Sequence, residues 1–390
     1  MKKNKKITKK TTNKNSDYIS ANESRRISKE NRKITADFEK IRNRKNVPES
    51  EYITKMKDSN NLLEVENLHT YFFTDIGVVK SVDGVTFNIP KRKTVGIVGE
   101  SGCGKSVTSL SIMQLVQRPQ GQIVDGEIRF DFGEIAYDIT KIPTEKMQKI
   151  RGNEIAMIFQ EPMTSLNPVF RIGMQIDEVI ELHNSEMGKE DVKSHTLEMI
   201  KMVGIPDAEK VYKMYPHELS GGMRQRIVIA MALSCNPKLI IADEPTTALD
   251  VTIQAQIMDL LRNLKDKVNS SIMLITHDLG VIAEMADEVV VMYAGRVVEK
   301  GTAHEIFHSP SHPYTIGLMA SRPGIGDKKS GKLFSIPGSV PNPVNMPNYC
   351  YFRDRCDRRI EECNGGYPPQ IFLSDTHMVT CYRYLKNKEE

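Results

Sequence analysis

Eight residues constrain this chain more than any other feature of its 390: Gly99-Glu100-Ser101-Gly102-Cys103-Gly104-Lys105-Ser106. They follow the apolar run Thr94-Val95-Gly96-Ile97-Val98, which reads as a buried strand, and precede a helical pattern from Val107 to Val116. Glycines let the backbone curl until successive N–H groups point at one anion, and the following helix adds the positive end of its dipole. Strand, glycine loop ending in Lys-Ser, and helix together form the phosphate-loop unit. In that unit Lys105 brings a full charge to the outer phosphates of a nucleotide and the Ser106 hydroxyl ligates Mg²⁺. Gly99 to Val107 are therefore the candidate nucleotide-binding residues.

Further short apolar strands are expected over residues 155–159, 239–242 and 272–275, with helices over 174–182, 192–203, 221–234, 253–268 and 281–285. Strands alternating with helices predict an α/β fold around a mainly parallel sheet. Leu63, Val65, Val85, Phe87 and Ile89 alternate with polar neighbours, as half-buried strands do. From Glu288 to Val298 two apolar runs flank Ala294-Gly295, which predicts a hairpin. The run Ile227–Leu233 is far short of the ~20 apolar residues a membrane span needs. The lysines at the start have no apolar segment behind them, so no secretory signal is expected.

Charge divides the chain. Residues 1–57 hold 18 Lys/Arg against 7 Asp/Glu, and the remainder is acidic. The first segment has few large apolar residues, so residues 1–60 are expected to be a basic, largely disordered extension. Such a tail suits anionic lipid or nucleic acid, or serves solubility alone. Residues 61–305 carry the α/β pattern. Residues 306–390 are punctuated by Pro, Gly and Asn and hold four of the six cysteines, as a small Cys-rich module would.

A second glycine loop, Leu219-Ser220-Gly221-Gly222-Met223-Arg224-Gln225, opens a helix with Ser220 as N-cap, which makes another anion site. Downstream, Leu239-Ile240-Ile241-Ala242-Asp243-Glu244-Pro245 is a buried strand ending in two carboxylates. Asp243 suits a Mg²⁺ shell and Glu244 suits polarising an attacking water. Alone, Asp-Glu at a strand end is more often a solvated loop start.

Together these residues resemble the nucleotide-binding subunit of an ATP-binding-cassette (ABC) transporter. Gly99–Ser106 resembles its Walker A, Gln160 in Phe159-Gln160-Glu161-Pro162 its Q-loop, and Ser220–Gln225 its signature. Leu239–Asp243 with Glu244 resembles Walker B and the catalytic glutamate, Ala248-Leu249-Asp250 the D-loop, and His277 the switch histidine. The resemblance implies a P-loop NTPase fold, with a RecA-like core, an antiparallel β subdomain and a helical subdomain. It implies ATP and Mg²⁺ as ligands, with Ser106, Gln160 and Asp243 around the metal and Glu244, His277 and Gln160 in hydrolysis. Tyr71, or Phe72, would stack on adenine, with an inserted stretch over 73–76.

In the family two cassettes face head to tail, and Ser220, Gly221, Gly222 and Gln225 would act on ATP held by the partner. The segment Gln160–Pro168 resembles the oligopeptide and dipeptide importer branch, and Met223 with Ile229–Leu233 the first of its two cassettes. A second ATPase subunit, two membrane permease subunits and an extracytoplasmic peptide-binding protein are the implied partners, with the chain peripheral on the cytoplasmic side of the cell membrane. Nickel and other small-solute importers share this branch. The basic tail leaves open a cassette ATPase acting on ribosomes or nucleic acid, although those proteins carry paired or split cassettes.

Cys350, Cys356, Cys363 and Cys381 follow C-x5-C-x6-C-x17-C. In a reducing compartment two disulfides are not expected. Zinc favours closer pairs, whereas iron–sulfur clusters accept varied spacing. The segment resembles the C-terminal extension of peptide-importer cassettes, some of which are thought to carry a [4Fe–4S] cluster. Cluster, free thiols and zinc are the three readings, in that order.

Overall fold

The computed structural model describes residues 19–161, 165–247, 249–321 and 335–385. Two sheets organise them. The first is antiparallel, in the order β1-β6-β5-β2-β3, from β1 (Ile53–Thr54), β2 (Asn61–Phe73), β3 (Val78–Pro90), β5 (Gly121–Asp131) and β6 (Ala136–Asp138). The second has the order β12-β13-β11-β10-β4-β9-β8-β7. Its strands are β4 (Thr94–Val98), β7 (Ile155–Ile158), β8 (Leu239–Asp243), β9 (Ser271–Ile275), β10 (Glu288–Tyr293), β11 (Arg296–Thr302), β12 (Ile371–Phe372) and β13 (Met378–Val379). From β10 to β7 the pairing is parallel, as the alternation of strands and helices predicts.

The parallel strands read as unbroken apolar runs because both faces are covered. In β9, Ile272 and Leu274 enter a core shared with the helices, while Met273 and Ile275 enter the core facing the antiparallel sheet. The helical core is closed by Ile227, Leu261 and Ile282. The expected hairpin is β10–β11, turned by Ala294 and Gly295, both at positive φ. The helices Ile172–His183, Lys189–Met202 and Ala208–Lys213 pack on one another through Ile176, Ile180, Met199, Ile200 and Val211. Asp177 pins them by accepting from Thr196 and Tyr212.

Two expectations are corrected. Residues 21–42 of the supposed disordered extension form a helix, Ala21–Arg42, capped by Ser20, whose Oγ accepts from the Glu23 N–H. It docks on the antiparallel sheet largely through polar groups. Asn31 donates to the Thr74 carbonyl at 2.7 Å, and Glu39 takes Arg118 Nε and Gln122 Nε2 at 2.8 Å each. The sheet itself begins before residue 61, since β1 pairs with β6 and Tyr52 is buried. Residues 1–18, the first part of the basic extension for which a lipid or nucleic-acid contact is expected, lie outside the described residues.

Nor are residues 306–390 a separate appendage. β13 pairs with β11, which extends the central sheet, and Val344 bridges Val79 at the edge of the antiparallel sheet. A segment short of apolar residues completes its core by borrowing from the cassette. The inserted stretch at 73–76 covers the last residue of β2 and the turn into β3, closed by the Thr74 N–H on the Gly77 carbonyl at 2.9 Å.

Candidate functional site

β4 delivers the chain to Gly99 at the carboxyl edge of the parallel sheet, where ligands of such sheets bind. Two glycines make the following loop possible. Gly99 has φ +154°, and a Cβ there would lie 2.2 Å from the Met292 carbonyl oxygen. Gly104 has φ +100°, and a Cβ would lie 2.3 Å from the Ser81 carbonyl oxygen. No side chain caps the helix Lys105–Ile112 that follows, so its first-turn N–H groups suit an anion. Lys105 folds back, donating to the carbonyls of Gly99 at 2.8 Å and Glu100 at 3.2 Å. Ser101, Gly102 and Ser106 are exposed and Val107 is half-buried, whereas Cys103 is buried with its thiol pushed up by that burial.

β7, β8 and β9 run side by side and in parallel, so their ends bring the remaining groups to the same edge. Ser106 Oγ donates to Asp243 Oδ1 at 3.2 Å and Ser109 Oγ to Oδ2 at 3.4 Å. Asp243 is buried. Burial, and the neighbouring Glu244, raise its proton affinity, while the Ser106 hydrogen bond opposes them. Glu244 sits at φ +47° and donates its N–H to the Ile275 carbonyl at 2.8 Å, which turns its side chain out of the strand. One carboxylate oxygen accepts from Gln160 Nε2 and from Thr247 Oγ1, each at 3.0 Å. The other lies 3.5 Å from His277 Nδ1, and the His277 side chain is 71% exposed. Gln160, Asp243, Glu244, His277 and the phosphate loop thus form one constellation. Thr247 was not singled out from sequence, where a lone threonine in a loop carries no signal.

The signature residues stand elsewhere. Ser220 Oγ caps the helix Gly221–Leu233 by accepting from the Met223 N–H at 3.3 Å. A Cβ on Gly221 would meet Leu249 at 3.7 Å, and one on Gly222 would meet Ile253 at 3.0 Å, so the loop packs on the segment around Asp250. Asp250 caps the helix Val251–Val268 by accepting from the Ile253 N–H at 3.0 Å. Ala248 and residues 162–164 lie outside the described residues. Ser220 and Gly221 are exposed, but Gln225 is corrected: its side chain is buried with neither polar atom partnered. It faces inward because it follows Ser220 by five positions, more than one helical turn.

Tyr71 is half-buried, and its hydroxyl donates to Asp83 Oδ1 at 2.6 Å. Asp83 also takes His69 at 3.1 Å, Arg296 at 2.6 Å and Tyr351 at 2.8 Å. Burial opposes ionisation of Asp83, yet these partners hold its carboxyl well below the usual range. Tyr71 is therefore part of a buried ionic junction between the sheets and the C-terminal segment. Phe72 packs against Gly121.

The four C-terminal cysteines are free of disulfides. Among the described residues no group of three or more His, Cys, Asp or Glu stands out as a site for a single metal ion. Each thiol sits on its own turn, as the wide spacings dictate. Burial pushes Cys350 up to about 12, with a smaller contribution from Cys363, Cys381 and Cys356 nearby, and burial also raises Cys356 and Cys381.

Comparison with known proteins agrees with this geometry. An ABC transporter family model matches residues 82–247, and one for the oligopeptide/dipeptide transporter C-terminal region matches residues 298–363. The oligopeptide transport ATP-binding protein AppD of Bacillus subtilis is 53% identical over 329 residues, 84% of this chain and 98% of AppD. The dipeptide transport ATP-binding protein DppD of the same organism is 49% identical over 321 residues, 82% of this chain and 94% of DppD. A solved dimeric ATP-binding cassette in a post-hydrolysis state with ADP and phosphate is 26% identical, with a TM-score of 0.55 over 62% of this chain and 98% of its own.

Proposed function

The chain belongs to the ATP-binding subunits of oligopeptide and dipeptide ABC importers, and from that premise we propose how its residues divide the work of ATP hydrolysis. One observation carries the reading above the others: Gln160 and Thr247 hold the Glu244 carboxylate at 3.0 Å each, one residue from the Asp243–Ser106 pair.

The loop N–H groups and Lys105 bind the phosphates. Ser106 and Asp243 present hard oxygen donors 3.2 Å from each other, a set that fits Mg²⁺, and Gln160 touches the adjacent Glu244. When bound, the ion neutralises charge that builds on the transferred phosphoryl group. Glu244 orients and polarises the attacking water. His277, beside its other oxygen and exposed, contributes to the γ-phosphate side of the site. Because Gln160 touches Glu244 and begins the segment toward the exposed Val169, Phe170 and Met174, loss of the phosphate is felt along that surface.

The Ser220–Gly222 loop packs on its own chain's Leu249 and Ile253. Its exposed helix end is read as completing the ATP site of a second cassette, most simply a similar but distinct subunit. Two permease subunits would meet the Val169–Met174 surface, and a peptide-binding protein would deliver cargo from outside. Among the described residues no helix is long and apolar enough to cross a membrane; as a subunit of such importers, the chain is read as peripheral on the cytoplasmic face of the cell membrane.

The four thiols are read as ligands of a polynuclear iron–sulfur cluster. The support is the C-x5-C-x6-C-x17-C spacing of four free thiols within one short segment, wider than zinc pairs usually are. The test of the main reading is peptide uptake by proteoliposomes holding the assembled importer. Uptake must require ATP and this chain, and ATP-independent uptake would refute it.

A further inference from the structure

Glu100 places a carboxylate inside a loop that is built to receive a polyanion. Both of its oxygens are taken by one guanidinium: Arg355 Nη1 donates to Oε2 at 2.7 Å and Nη2 to Oε1 at 3.0 Å. A paired fork of this kind fixes direction as well as charge. Arg355 is fixed in turn, donating from Nε to the Pro337 carbonyl at 2.9 Å, with a side chain only 6% exposed. The backbone is gripped from the same quarter, since the Glu100 N–H donates to the Tyr314 hydroxyl oxygen at 2.8 Å. Tyr314 packs on Tyr293 and Phe352, with ring centroids 4.7 Å and 5.5 Å away. Tyr351, Phe352 and Arg355, which lie between Cys350 and Cys356, all touch the cassette, at Asp83, Tyr293 and Glu100.

We propose that Arg355 is a positioning residue for nucleotide binding: it cancels the Glu100 charge and holds that carboxylate off the phosphate path, so residues 350–356 set the loop's affinity for a nucleoside triphosphate. This rests on the reading that the loop binds ATP. Without Arg355 a bare carboxylate, itself 28% exposed, stands beside the incoming phosphates, and the two repel. A pair that served only to staple the C-terminal segment would affect stability and leave the sign of nucleotide binding alone.

The experiment is equilibrium binding of a fluorescent ATP analogue to the full chain, with Mg²⁺ chelated to prevent turnover. Arg355→Gln should weaken binding about tenfold. Adding Glu100→Gln should restore it to within about threefold of the parent. Glu100→Gln alone keeps the other contacts of the segment and leaves Arg355 as an unpaired cation beside the loop, so it should tighten binding. Unchanged affinity in Arg355→Gln, a loss that Glu100→Gln fails to rescue, or weaker binding by Glu100→Gln alone would each overturn the proposal. A parent chain that bound no nucleotide would overturn the ATP reading itself.

Discussion

Gln160 donates its amide to the Glu244 carboxylate at 3.0 Å, which joins the end of β7 to the end of β8 across the site. Glu244 has no backbone freedom to waste: it sits at positive φ, hydrogen-bonded through its own N–H to Ile275. Glu244→Gln keeps the shape and the Thr247 contact and removes the charge that draws a proton from water. The expected result is ATP binding within about threefold of the parent and turnover reduced by about 10²–10⁴, the range for loss of a general base. Turnover is measured in the assembled importer, and near-normal rates would remove Glu244 from this role.

His312 supplies a pH dependence of stability. It is fully buried, its Nδ1 accepts the Tyr314 N–H at 3.1 Å, and burial lowers it to about 4 despite the nearby Glu299. The unfolded chain has the ordinary value near 6.5, so between those pH values the unfolded state binds more protons. Stability is therefore complete above about pH 6.5 and falls as the pH drops toward 4, by up to about 3 kcal/mol. His312→Gln, which retains an acceptor, should show a smaller difference in Tm between pH 7.5 and pH 5 than the parent. An equal difference in both would show that His312 is not the group responsible.

What could be read from sequence was what the chain writes locally. The phosphate loop, the Asp243-Glu244 strand end and the β10–β11 turn are each contiguous, and each dictates its own backbone. The Arg355 grip on Glu100 joins positions 255 residues apart, and neither residue carries a local signal for the other. The helix Ala21–Arg42 escaped because its docking uses Asn31, Glu39 and Arg118 in place of an apolar stripe, so composition alone read as disorder. Gln225 was misplaced because a motif gives order along the chain and not the face of the helix.

That N-terminal helix is held by charge, and its docking should respond accordingly. The hydrogen bond from Arg118, working against burial, lowers the Glu39 carboxyl to about 2. A depressed carboxylate contributes docking stability that is full above about pH 4.5 and is lost as the pH falls toward 2. Arg118→Gln should reproduce the loss at neutral pH. Amide hydrogen exchange over residues 21–42 is expected to quicken in that variant while exchange in β8 and β9 stays slow. Unchanged protection over 21–42 would place the anchor elsewhere, at Asn31 or at the Phe38–Phe73 ring contact of 6.4 Å.

The C-terminal thiols give the last test, because the three readings of them differ in what the purified protein holds. A cluster gathers four sulfurs around a shared inorganic core, so it tolerates the wide C-x5-C-x6-C-x17-C spacing of these free thiols. Protein prepared without oxygen should then be brown, with broad absorption into the visible, and should contain iron and acid-labile sulfide in similar amounts. Cys356→Ser removes one ligand and should bleach the colour. Because Arg355 precedes that cysteine and grips Glu100, the same variant should also weaken nucleotide binding. A colourless anaerobic preparation with one zinc per chain would decide for the single ion, and one with no metal would leave the cysteines as packing residues.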